Sequence, residues 1–197
     1  MKISILTYPL LTVGLLAAAS AAAAGDQDAS DVTALTGQAK TAVAAFAAEL
    51  KSELMAAIGA GGPVQAIDVC HARAPAIARR ISEKQGLELS RVSQRNRNAE
   101  NAPGAWQAAV LDDFQARLEA GEDPGSLTWQ EFAEMQGGRE FRFMKAIPTQ
   151  PLCLTCHGTA IAPPVTEKLA ELYPGDKATG FEEGDLRGAF VVVRQLD

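Results

Sequence analysis

LTWQEFAEMQGGREFRFMKAI, residues 127 to 147, decides the fold class. Two β-prone runs, Leu127 to Met135 and Glu140 to Ile147, meet at Gly137-Gly138, and residues without a Cβ suit a turn at positive φ. The segment therefore reads as an antiparallel hairpin. Just upstream, Trp106, Val110, Leu111, Phe114 and Leu118 recur at helical spacing and predict a helix that stops between Gly121 and Gly125. Before it, Leu87 to Val92 alternates like a strand, and Arg95 to Gly104, rich in Asn and holding Pro103, reads as a structured loop. Earlier still, Val32, Leu35, Val43, Phe46, Leu50, Leu54 and Ile58 predict one long amphipathic helix from Ser30 or Asp31, ended by Gly59, Gly61 and Gly62. Pro63 suits the first position of a second helix that runs towards Gln85 with Ile67, Ile77 and Ile81 on one face. Pro75 lies inside that pattern. It removes the bond to the His71 carbonyl and predicts a kink or split just after Cys70-His71. Downstream of the hairpin, a short helix from Pro164 or Val165 to Leu172 leads through a loop, Tyr173 to Asp185, into a last strand, Leu186 to Arg194. Helices come first and hairpin strands later, so the class is α+β with an antiparallel sheet.

The 197 residues are 47% hydrophobic and 21% charged, as a folded domain should be. A formal charge of -6 argues against nucleic-acid binding, which needs a basic stripe to displace phosphate counterions. Two His and three Cys exclude a multihaem cytochrome, a disulfide scaffold and any three-histidine metal site. Met1-Lys2, the apolar stretch Ile3 to Ala19 and Ala22-Ala23-Ala24 have the layout of a secretory signal over residues 1 to 24, leaving 25 to 197 as one domain. An uncleaved anchor is the rival reading, but the alanine-rich half contributes little insertion energy. Nothing later is apolar enough for a stable membrane span in the mature chain. Removing Lys2 leaves 17 positive and 24 negative side chains, a formal -7. The expectation is an acidic exported protein of the periplasm.

Cys153-Leu154-Thr155-Cys156-His157 is C-x-x-C-H, the attachment pattern of c-type haem. Two thiols at this spacing can each add to one haem vinyl group, and the next residue brings an imidazole to the iron. The expected cofactor is one covalently attached haem c. Cys70 is then the odd cysteine. Sixth-ligand candidates are Cys70, His71, Met55, Met135 and Met144. At about 100° per residue Cys70 falls near the middle of the face set by Ile67, Ile77 and Ile81, while His71 points roughly 80° away. Periodicity favours Cys70, although a Pro75 kink can rotate either one inwards.

Ala66-Ile67-Asp68-Val69-Cys70 with Ala74-Pro75, Arg95-Asn96 with Asn98 and Pro103, Cys153 to Gly158, Tyr173 to Gly180 and Gly184 to Ala189 come one after another as the successive motifs of a bacterial haem-domain family of unknown function. The chain resembles that family over almost all of its mature length. The resemblance implies a PAS-like fold, one c-type haem, His157 as proximal ligand and the Cys70 thiolate opposite it, since a cyanobacterial member takes histidine and cysteine as axial ligands. Some members are the sensory part of membrane-bound signalling proteins. Here the sequence departs from them, having no kinase, methyl-accepting or other output segment, and it reads Arg97 where the family loop commonly has proline.

Two filled axial positions leave no vacancy for substrate, so an enzyme is not expected; electron transfer, or sensing of redox state or a small gas, is. Arg91 and Arg95 are the expected haem propionate partners, because a guanidinium fork matches a carboxylate, while Arg97 reads as a surface arginine. Asn96, Asn98 and Asn101 are expected to fix the loop. Trp106, Trp129, Phe141 and Phe143 read as core, and Tyr173, Pro174 and Asp176 as a turn. The redox partner, if there is one, should be basic. Two rival functions use the same residues. One is a thiol-disulfide oxidoreductase through Cys153 and Cys156, which lacks the usual βαβ context. The other is a structural zinc site from Cys70, His71, Cys153 and Cys156, in which neighbouring Cys70 and His71 diverge too far to chelate one ion comfortably.

Overall fold

The computed structural model describes residues 17–196, with side chains from residue 31 onward, so most of the expected signal segment lies outside the described residues. The chain divides into two compact units, residues 1–35 and 36–197. The described part of the first, from Ala17, is helix, the opening of helix α1 (Ala17–Asp68). This helix starts well before the expected Ser30, and the alanine run explains it, because alanine has the highest helix propensity.

The second unit holds the rest. Helix α1 does not stop at Gly59: it continues to the Gly62 backbone, whose φ of 75 and ψ of -171 break it, and Pro63 opens the next turn. A π turn, Val69–Arg73, closed by the Ala74 N–H bonded to the Val69 carbonyl, comes next, where Pro75 denies the ordinary bond. Then come α2 (Ala74–Gln85), β1 (Glu88–Val92), a 3-10 turn (Ala99–Asn101), α3 (Ala105–Glu119), β2 (Thr128–Met135) and β3 (Gly138–Pro148). The chain ends with a 3-10 turn (Pro151–Cys153), α4 (Leu154–His157), α5 (Pro163–Leu172) and β4 (Leu186–Leu196).

The four strands form one antiparallel sheet in the order β1-β4-β3-β2, so the molecule is α+β as the sequence predicts. The hairpin is displaced by one residue from its expected turn: Met135 pairs with Gly138, so Gln136-Gly137 make the two-residue loop. Alternation along the strands gives the sheet two apolar faces. Val191, Met144 and Ala146 pack with Val110, Leu111 and Phe114 of α3, and Trp106 stacks on Trp129 at 5.7 Å. On the other face Phe46 of α1 meets Phe190 of β4 edge-on at 5.9 Å. A third cluster joins Ile67 to Val165, Leu169 and Tyr173, with Cys156 packed against it. That cluster fixes α5 and the C-x-x-C-H turn against the end of α1, one helical turn before Cys70.

Candidate functional site

The C-x-x-C-H segment is a 3-10 turn running into one turn of α-helix, which winds Cys153, Cys156 and His157 along a short spiral. Gly158 ends it. A Cβ there would lie 2.6 Å from the Leu154 carbonyl oxygen, so only glycine lets the chain fold back so tightly after His157. The return path is bonded to the motif: Gly180 donates to the Gly158 carbonyl at 2.8 Å and Phe181 to that of His157 at 2.9 Å. The His157 Nδ1–H donates to the Ala178 carbonyl at 2.7 Å, which leaves Nε2 with its lone pair. Burial, helped by the cationic Arg187 and Arg97, pushes the imidazole down to about 2, so it is neutral at ordinary pH. A neutral imidazole whose far nitrogen is tied to a carbonyl is the usual form of a metal-ligating histidine.

Cys153, Cys156 and His157 all line one cavity of ≈ 1120 Å³, counted to its open mouth, and Cys70 lines it too. Its walls are apolar side chains: Leu50, Leu54 and Ile58 from α1, Ala66 and Ile67 after the Gly62 break, and Val92, Ile147 and Leu152. Tyr173 closes part of it. Burial pushes its phenol up to about 12. The π turn carries Cys70 into this space and leaves the His71 side chain exposed, its ring against that of Tyr173 at 5.2 Å. Of the neighbouring pair, Cys70 alone faces the cavity, as helical periodicity favours. Burial pushes the Cys70 thiol up, and Arg91, Arg97 and Arg187 pull in the opposite direction.

The arginines differ from expectation. Arg91 does line the cavity; its guanidinium lies 5.1 Å from the Phe46 ring centre, and burial lowers its pKa. Arg95 does not line it. Its exposed side chain crosses to another cleft, where the guanidinium lies 3.9 Å from the Phe181 ring centre and donates to the Thr179 carbonyl. The strand ends at Val92, three residues before Arg95, so the alternation that sends Arg91 inward no longer governs it. Arg97 is not a surface residue. Its side chain is 9% exposed, pairs with Asp176 at 2.9 Å and donates to the carbonyls of Cys156 at 2.6 Å and Ala178 at 3.1 Å. It ties the Asn-rich loop to both the motif and the Tyr173 turn. Arg187 is a cavity residue the sequence reading passed over: it lines the cavity, and burial pushes it down to about 10. Its signal was a single arginine at the head of the otherwise apolar strand GAFVVV. Asn98 caps the Ala99–Asn101 turn and Asn96 donates to the Asn98 carbonyl at 2.9 Å, as the loop reading expects.

The rival arrangements find less support. The sheet is wholly antiparallel, so among the described residues no βαβ unit surrounds Cys153 and Cys156. Among the described residues no three His, Cys, Asp or Glu side chains gather as a metal-binding group, and His71 is exposed and does not line the cavity that the three cysteines line. What the cavity does fit is a flat apolar macrocycle with an anionic edge: greasy walls, two thiols and an imidazole on one turn, a third thiol from the helix side and buried cations.

Such a cavity in an α+β frame defines a haem-binding protein, and the comparisons with known proteins agree. The sequence pattern of the Tll0287-like family matches residues 17–194, and the chain belongs to that family. A solved structure similar to it is the crystal structure of the cyanobacterial heme-protein Tll0287, with 25% identity and a TM-score of 0.55 over 87% of this chain and 96% of that one. No curated protein matches the chain.

Proposed function

We propose that the protein is an exported, periplasmic mono-haem c-type cytochrome in which Cys153 and Cys156 hold the porphyrin by thioethers and His157 and Cys70 are the axial ligands. The observation that carries this reading is the gathering of all three cysteines and the tied histidine on one apolar-walled cavity. Haem, when bound, supplies a one-electron couple at iron. The chain's part is to set its character. A Cys70 thiolate donates negative charge and stabilises the oxidised state, so the potential falls below that of a His/Met cytochrome. Burial alone favours the neutral thiol, and Arg91, Arg97 and Arg187 act against it in favour of the charged sulfur. With both axial positions filled by side chains the role is electron transfer or haem-based sensing, not turnover of substrate. A redox partner would be basic, against the formal -7 of the mature chain. Sensing would require Cys70 to leave the iron on reduction, or when CO or NO binds, which would free the π turn that carries it.

Absorption and EPR spectra of the purified protein in both oxidation states test the assignment. A low-spin ferric spectrum with thiolate character, abolished by Cys70→Ser and kept by His71→Ala, is the expected result. Loss with His71→Ala and not with Cys70→Ser would overturn the ligand choice, and colourless protein from a host competent in haem attachment would overturn the cofactor. Unchanged coordination between oxidation states assigns electron transfer; a change of ligand on reduction assigns sensing.

A further inference from the structure

Three arginines line the cavity, yet among the described residues only one of them meets a carboxylate. Arg97 is committed to Asp176. Arg187 donates only to neutral acceptors, Ser93 Oγ at 3.2 Å and the Arg95 carbonyl at 3.3 Å. Arg91 rests over the Phe46 ring and meets no acidic side chain. The two come from adjacent strands: β1 pairs with β4 from Glu88↔Val193 to Val92↔Ala189, which puts Arg187 just past the paired stretch, beside Ser93. Two guanidinium groups that meet no carboxylate among the described residues thus line the cavity, Arg91 over the Phe46 ring and Arg187 5.2 Å from the Phe181 ring, while the thiols of Cys153 and Cys156 come from the C-x-x-C-H turn.

Burying a cation without a counter-charge is costly unless a partner repays it, and a guanidinium fork matches a carboxylate in shape as well as sign. A haem carries its two carboxylates on the edge away from its vinyl groups. We infer that Arg91 and Arg187 receive the two haem propionates, so that this edge of the cofactor is buried against β1 and β4 while the vinyl edge meets the cysteines. The inference rests on the haem reading above and adds to it an orientation and a residue, Arg187. Burial lowers the pKa of both arginines, as expected of cations awaiting an anion. Arg95 and Arg97 have no part in it: one faces a different cleft and the other is already paired.

The test compares haemin with its dimethyl ester, whose propionates carry no charge, on the full chain bearing Cys153→Ser and Cys156→Ser so that binding is reversible. The parent should prefer haemin at least tenfold; Arg187→Gln and Arg91→Gln should each shrink that preference about tenfold, and Arg187→Lys should keep most of it. An equal preference in parent and glutamine variants overturns the inference. So does a preference that inorganic phosphate erases, which would mean that a free anion occupies the forks. In the covalently loaded chain at alkaline pH, Arg187→Gln should lower the reduction potential, because a positive charge that opposes the ferric state is gone, and Arg187→Lys should restore it. A potential unmoved by Arg187→Gln also overturns it. Failure of the c-type reading would look different: wild-type chain without covalent haem, with the ester comparison still deciding the arginines.

Discussion

At the scale of single residues, one arginine couples the parts of the site that come from different stretches of sequence. Arg97 sits in the Asn-rich loop, Asp176 in the turn after α5 and Cys156 in the attachment motif, and the Arg97 guanidinium reaches both of the others. The sequence could not reveal this, because an arginine in a polar loop looks like solvent-facing charge; its burial depends on Tyr173 to Thr179 folding back over the loop, a long-range event. Cys70 and His157 were legible for the opposite reason. One comes from helical period and the other from a covalent motif, and both are local signals. Breaking a buried pair from one side leaves the other charge stranded, so Arg97→Ala should lower unfolding free energy by about 3–5 kcal/mol. It also removes a donor from two carbonyls. Arg97→Ala with Asp176→Ala should cost less than the sum of the singles by about 1–3 kcal/mol, read from urea unfolding of the full chain. Strict additivity would mean that the contact contributes nothing as a pair.

At the scale of elements, the π turn over Val69–Arg73 sets the direction of Cys70. Pro75 has no N–H to give the His71 carbonyl, and the helix absorbs this with a wider turn closed from Ala74 to Val69. One extra residue in a turn rotates the helix on its N-terminal side against the helix on its C-terminal side by about 100°. Ile67 before the turn and Ile77 and Ile81 after it are all buried, with Cys70 between them at the cavity. The break was therefore readable from Pro75, but its form was not, since a kink, a split and a wide turn all satisfy a missing donor. The same division holds at Gly62 and at the hairpin: composition announced a break and a turn, and the strand register moved the loop to Gln136-Gly137. Pro75→Ala restores the donor and should let the turn relax towards ordinary helix. Stability should change by less than about 1 kcal/mol, because the lost rigidity offsets the regained bond. The spectrum of the ferric protein should change far more, because the rotation of α2 against the end of α1 shifts Cys70 relative to Cys153, Cys156 and His157. A Pro75→Ala spectrum identical to wild type would show that the turn is held by packing of α2 and not by proline.

At the scale of the whole molecule, charge is divided by depth. The chain is acidic, with 24 Asp and Glu against 18 Lys and Arg, yet three of those cations line the cavity, and two of them, Arg91 and Arg187, meet no carboxylate there among the described residues and leave the exterior more negative than the total suggests. The total was readable from composition, whereas the segregation was not, because it depends on which arginines the sheet and the family loop turn inward. Its consequences are separable. The inner cations act on the site at short range in a poorly solvated space, where salt screens them weakly. The outer carboxylates act on anything approaching through water, over a distance of about 10 Å at 0.1 M salt. A small cationic oxidant should therefore react with the reduced protein faster than an anionic oxidant of similar driving force. Raising ionic strength from about 0.01 to about 0.1 M should slow the first and speed the second, each by several-fold, while the reduction potential stays nearly fixed. Stopped-flow rates at both salt concentrations read the exterior, and the potential reads the interior. Equal rates for the two oxidants, insensitive to salt, would mean that electrons enter through a patch shielded from the acidic surface, and the expectation of a basic partner would fall with it.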